Sequence, residues 1–261
     1  TIGIGFSLAV LVGFALMKRV RPGRMFQPQW GLLRKLGPEA LKHHMLNLML
    51  EAPSLILPLL VTILLSATVN AWFFVAWSLS GVANTASAAL ATTLYAVSSA
   101  QPSALAHKMR LTLGLALVAC ILTNFVLLFG SRQVLELFGH SYSEQAAWSL
   151  RILSIESFPF IIKNHYIALS RIRGQLARTI LITIATCFLE LGGAVVGAHL
   201  GGLNGLSIGW SSAMCIEAIC MSRPIYQTIR LVKAPPQVSV ERSSLEVKAN
   251  WSDAHLTTRK L

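Results

Sequence analysis

Six charged side chains stand within or at the ends of long apolar stretches of this sequence: Glu51, Arg151, Glu156, Lys163, Glu190 and Glu217. A charge at the centre of a bilayer costs on the order of 3 kcal/mol on insertion scales, so it either has a partner or lines a polar cavity. Two chemistries follow. One is a structural ion pair between helices; the other is a cavity wall that meets a polar solute or exchanges protons and cations. Glu156 and Lys163 are seven apart, two turns along one helix face. With Asn164 and His165 they make the most polar patch inside any apolar run. Glu190, among Cys187, Phe188, Leu189 and Gly192, is the deepest acid and a candidate for ion coupling. Glu217, between Cys215 and Cys220, is a second candidate, expected nearer the end of its span. Glu51 and Arg151 lie close to span ends, where long side chains snorkel to the headgroups, and read as interfacial anchors.

These residues must be held by membrane helices. Of 261 residues, 54% are hydrophobic and 12% charged, with a mean hydropathy of +0.62. Soluble domains carry about twice that share of charge. The apolar residues fall into runs of roughly 17 to 25, the length that crosses about 30 Å of hydrocarbon, and not into amphipathic stripes. Seven spans are expected, at about 2–17, 52–69, 71–99, 111–130, 148–170, 179–200 and 203–225. Pro53, Pro58 and Pro159 fall inside spans, where neighbouring helices satisfy the carbonyls they free. The fold class is thus an all-α integral membrane protein. Its expected organisation is a single span with a basic stretch over 1–29, an amphipathic interfacial helix over 30–50, a six-helix bundle over 51–230 and a polar, disordered tail over 231–261.

Lys and Arg collect in alternate loops: Lys18 to Lys42, then Lys108 and Arg110, then Arg171, Arg173 and Arg178, then Arg223, Arg230 and Lys233. The opposite loops hold Arg132 alone, with Arg151 just inside. The positive-inside rule then sets the N-terminus outside and the C-terminus in the cytoplasm. An outside N-terminus with no signal peptide suits a chain preceded by an odd number of spans, so the sequence reads as a fragment.

Local patterns point further. Asn70-Ala71-Trp72-Phe73-Phe74-Val75-Ala76-Trp77 resembles the aromatic entry of a helix in polysaccharide exporters. Val134-Leu135-Glu136-Leu137-Phe138-Gly139-His140-Ser141-Tyr142 resembles their L-x-L-F-G-x-x-Y loop. Arg171-Ile172-Arg173-Gly174 is similar to their R-x-x-G helix exit, and Gly202-Leu203-Asn204-Gly205 to the G-x-x-G turn before the last helix. In order over 46–226, these patterns resemble the Wzx-type oligosaccharide flippases, whose superfamily also holds MATE-type antiporters and lipid II flippases. The resemblance implies one six-helix bundle of a two-bundle fold plus one preceding helix, in a bacterial cytoplasmic membrane. It implies a lipid-linked diphosphate oligosaccharide as substrate, no cofactor, and a missing N-terminal half as partner, since alternating access needs both bundles. Lys163 would meet the diphosphate; Glu156, Asn164, Arg151 and Asn84 would contribute to the substrate wall, and Glu190 and Glu217 to ion coupling. A MATE-like cation or drug antiporter and a non-catalytic structural subunit remain alternatives.

Other classes are poorly served. The net charge of +12 is spread over loops without the soluble domain that a nucleic-acid partner requires. The four cysteines lie in apolar runs without metal-ligand spacing. Glu136, His140 and Glu144 share a face of the longest outer loop but lack a nucleophile, so no enzyme activity is expected. The polar residues of the third span (Asn84, Thr85, Ser87, Thr92 and Thr93) read as helix-packing groups that could also line a cavity. Gly193, Gly197, Gly201, Gly205 and Gly209, four apart, predict close approach of the last two spans. Asn250-Trp251-Ser252 matches a glycosylation acceptor, by chance on this topology.

Overall fold

The structure, a computed structural model, describes residues 30–100 and 104–230. The expected first span and polar tail, and the glycosylation match, lie outside them. The described residues form α1 (Trp30–Leu64), α2 (Ala67–Ala100), α3 (Leu105–Glu136), α4 (His140–Gln145), α5 (Ala147–Ile155), α6 (Ser157–Ile172) and α7 (Leu176–Arg230). Four segments are long and apolar enough to cross a membrane: Leu36–Leu64, Ala67–Ser98, Leu105–Glu136 and Leu176–Arg230. The chain divides into two compact units, Thr1–Met45 and Leu46–Leu261. In the described part of the first, Glu39 pairs with Lys42 at 2.7 Å.

Two elements differ from the sequence expectation, and a third follows it. The interfacial segment and the second span are one run of helix, α1, because neither Pro53 nor Pro58 ends it. The fifth span is two helices. Pro159 has no N–H to offer the Ile155 carbonyl, and the helix is interrupted at Glu156, whose backbone still has helical φ/ψ. The sixth and seventh spans are the two helical arms of α7, separated by non-helical backbone at Gly201 and Gly202 where the chain reverses. Gly202 has φ +57, a conformation open to glycine and costly for other residues. The two arms of α7 are antiparallel and very close. A Cβ added at Gly193 would lie 2.7 Å from the Gly209 carbonyl oxygen, and one at Gly197 would fall on that of Gly205. Here the spacing of four does what small residues do at membrane helix interfaces.

Exposure is inverted relative to a soluble fold. Along α3, Leu111, Leu115, Leu122, Phe125 and Phe129 face outward while Thr112, Asn124 and Ser131 are buried. A surface so apolar suits a lipid solvent. The helices bury their polar groups against one another, and α6 packs on α2, α3 and α7. Two apolar layers form. One gathers Leu57, Phe73, Leu150, Leu206 and Trp210; the other gathers Leu46, Leu94, Met109, Leu169 and Met221. Helix α6 leaves through a glycine stop: Gly174, at φ +67, donates to Arg171 O, and Gln175 N to Ser170 O. That is the Schellman arrangement.

Candidate functional site

Between the two apolar layers, charges from α6 and both arms of α7 converge. Lys163 Nζ donates to Glu190 Oε1 at 2.5 Å and to Glu217 Oε2 at 3.0 Å. The three residues are 6%, 1% and 1% exposed. The Gly193–Gly209 and Gly197–Gly205 contacts set Glu190 opposite Ser212. Glu217 is therefore five residues, about 7.5 Å at 1.5 Å per residue, farther from the reversal. It is nearer the end of its span, as the sequence suggests, and both side chains reach Lys163. Glu217 lies 13 residues before the close of α7 at Arg230, or about 20 Å at 1.5 Å per residue. Two carboxyls share one ammonium, so the group is neutral only when one carboxyl holds a proton or a further cation is present. Glu217 Oε1 is buried without a hydrogen-bond partner.

Next to this triad is a cavity of about 220 Å³, lined by Glu51, Asn84, Glu156, Lys163 and Glu190 together with Trp77, Phe160 and Trp210. Trp210 Nε1 donates to Glu156 Oε2 at 2.6 Å and stands edge-on to Trp77, with ring centroids 5.2 Å apart. The interruption of the helix at Glu156 places that carboxyl against Trp210 while Lys163, two turns on, meets Glu190. Asn84 Oδ1 is buried and unpartnered at the same cavity. Carboxylates outnumber ammonium groups here, and aromatic faces complete the wall. Such a site accepts cations: protons, metal ions or ammonium groups.

The structure thus brings together Lys163, Glu156, Asn84, Glu190 and Glu217. Asn164, about 100° around α6 from Lys163, donates to Ser87 Oγ at 3.3 Å and lines a second cavity. Arg151 lies apart: its Nε donates to Ser131 Oγ at 2.8 Å and its guanidinium sits over Trp148. His165 turns away from Lys163, with Nδ1 on Ile161 O and Nε2 on Thr112 of α3.

Among the third-span polar residues, Ser87 bonds across helices, whereas Thr85, Thr92 and Thr93 are exposed and bond back to their own helix. Glu51 lines the cavity. Trp77 and Trp210 were missed as site residues, although a spacing signal existed. Trp77 and Asn84, Glu156 and Lys163, and Trp210 and Glu217 are each seven apart, which puts each pair on one helix face.

The Glu136–His140–Glu144 set forms, with His140 Nε2 3.2 Å from Glu144, and is exposed. All four cysteines are free, and no group of three or more metal-ligating side chains occurs among the described residues.

No protein-family model, no curated protein and no solved structure matches the chain. The site's own chemistry is what remains to read.

Proposed function

We propose that this chain is one bundle of a two-bundle membrane transporter, and that the cluster of Lys163, Glu190 and Glu217 beside Glu156 is its cation-accepting site. The observation that carries the reading is the triad itself. Three ionisable groups from three helical segments are buried together, two carboxyls to one ammonium, so that with both carboxyls ionised one negative charge is in excess, where a structural pair would be neutral. A proton or monovalent cation neutralises it. Lys163 is engaged on both sides by carboxylates, so it serves better as the tether of Glu190 and Glu217 than as a landing point for diphosphate.

The cargo we propose is a lipid-linked oligosaccharide, on the loop patterns of the sequence, with the cation as its coupling ion. Seven spans with the N-terminus outside, in a bacterial cytoplasmic membrane, belong to the same proposal. The second reading, a cation antiporter, is favoured by one specific feature, the aromatic and acidic wall around the cavity.

The test uses the full chain in nanodiscs, with Trp77 and Trp210 as fluorescent reporters at the cavity. Titration with protons, sodium and potassium should change emission in wild type, and the combined Glu190→Gln and Glu217→Gln variant should be silent. Indifference of the wild type to every cation would overturn the cation site. In cells, depletion of the gene product separates the cargoes. Accumulated diphosphate-linked oligosaccharide supports the flippase; unchanged glycans with raised sensitivity to cationic drugs support the antiporter.

A further inference from the structure

A second cavity, of about 230 Å³, lies along the same three helices, and Glu51 lines both. The two cavities occupy one face of each helix. On α2 the lining positions run Trp77, Asn84, Ala88, Tyr95; on α6 they run Lys163, Ile167, Arg171; on α1 they run Asn47, Glu51, Ser54. Spacings of three, four and seven keep each set on one side of its helix. From Trp77 to Tyr95 is about 27 Å at 1.5 Å per residue, close to the thickness of the hydrocarbon. Helix α1 supports the bundle core through Leu46 on one side of this stretch and Leu57 and Val61 on the other. The crevice opens between them. At its far end Arg171 Nη2 donates to Asn47 Oδ1 at 2.6 Å, so a guanidinium on α6 is tied to α1 across the mouth. Arg171 Nε is buried without a hydrogen-bond partner.

We propose that this crevice is the route by which cations pass between the membrane surface and the buried triad. Glu51 is the transfer carboxylate where the two cavities meet, and Arg171, held by Asn47, is a positive gate at the mouth. The inference rests on the cation reading of the cluster and deepens it. Glu51 is exposed and makes no ion pair among the described residues, so its charge is available to a passing cation. Asn47 and Glu51 are one turn apart on α1, about 6 Å of rise. A cation that clears Arg171 therefore meets Glu51 next, and Glu190 after it. The basic loops set the Arg171 end on the cytoplasmic side under the positive-inside reading.

The test measures thiol reactivity in the full chain, in right-side-out and inverted vesicles, with the four native cysteines replaced by alanine. Asn84→Cys reports the inner cavity and Thr92→Cys the outer one. Each is treated with a membrane-impermeant trimethylammonium thiosulfonate and with a small neutral thiosulfonate. Both positions should react with the cationic reagent from the Arg171 face. Glu51→Gln should lower the cationic-to-neutral rate ratio at Asn84→Cys on the order of tenfold, as a unit charge acting over roughly 10 Å does at an effective dielectric near 20. Arg171→Ala should raise that ratio by a similar factor, and Glu51→Asp should preserve it. A merely structural role would move both reagents together. Should Arg171→Ala fail to fold, Asn47→Ala releases the same guanidinium. A ratio unmoved by these changes, or reaction of Asn84→Cys only from the opposite face, overturns the route. The reagents report access and not occupancy, so that failure would leave cation binding at the triad standing.

Discussion

Replacing Gly197 by alanine should destabilise the bundle, while the same change five residues earlier at Gly192 should stabilise it. Both positions are in the first arm of α7. In helices alanine is favoured over glycine by about 0.8–1 kcal/mol, a gain available at either site. What differs is the space. A Cβ at Gly192 meets nothing within 4 Å; one at Gly197 falls on the Gly205 carbonyl of the facing arm. That neighbour is backbone and cannot rotate away, so the arms must part by roughly 1 Å, and overpacking of this kind costs about 1–3 kcal/mol. The net expectation is a loss of up to about 2 kcal/mol for Gly197→Ala and a gain of up to about 1 kcal/mol for Gly192→Ala. Urea or thermal unfolding in detergent, followed by tryptophan emission, reads the difference, and Gly205→Ala should repeat the Gly197 result. Gly197→Ala as stable as Gly192→Ala would refute the close antiparallel contact, and with it the convergence of Glu190 and Glu217 on Lys163.

Lys163→Met should cost about 3–5 kcal/mol in the same assay, because it strands two buried carboxylates. Adding Glu190→Gln and Glu217→Gln should restore most of that stability while transport stays abolished, and recovery of transport would mark the cluster as a packing device. Trp210→Phe leaves Glu156 Oε2 without its donor and should cost about 1–3 kcal/mol by unfolding. Thr112→Val should cost about 1 kcal/mol by removing the partner of His165 Nε2, with cation-dependent fluorescence unchanged. Arg151→Gln should likewise leave that fluorescence unchanged, since the guanidinium faces Ser131 and Trp148; a lost response would place it in the site after all.

The legible part of the fold was what depends on local chemistry. Spans appeared as apolar runs because lipid demands them. Gly139, Gly174 and Gly202, each within a loop pattern of the sequence, occupy the three positive-φ positions among the described residues. The glycine spacing of α7 foretold close approach because a missing side chain is a local property. Partner choice was less legible. The Lys163–Glu190 and Lys163–Glu217 contacts span 27 and 54 residues, and hydropathy records depth without azimuth. So Glu51 read as an interfacial anchor, and Arg151 was grouped with Lys163 although its helix turns it toward α3. His165, two residues after Lys163 and thus about 200° around the helix, could have been set on the opposite face by periodicity alone.

Whether the triad is a site or a brace turns on its unsatisfied atoms. A brace is stable in proportion to how completely its charges and lone pairs are matched, because each unmatched buried group costs about 1–3 kcal/mol, and more when charged. Arg151, on Ser131, and His165, bonded through both ring nitrogens, show that this bundle can satisfy buried polar groups. Other buried polar atoms here also go unmatched, Asn124 Oδ1 and Ser211 Oγ among them, but at the triad and its cavity the unmatched atoms, Glu217 Oε1 and Asn84 Oδ1, sit where carboxyls outnumber the ammonium. Both shortfalls are of the same sign, acceptors without donors. A cation or proton corrects both at once, whereas an anionic headgroup would add to them. The excess of acceptors is therefore the reason to assign the cavity to a positively charged visitor and to give Lys163 the task of holding Glu190 and Glu217 in place between visits.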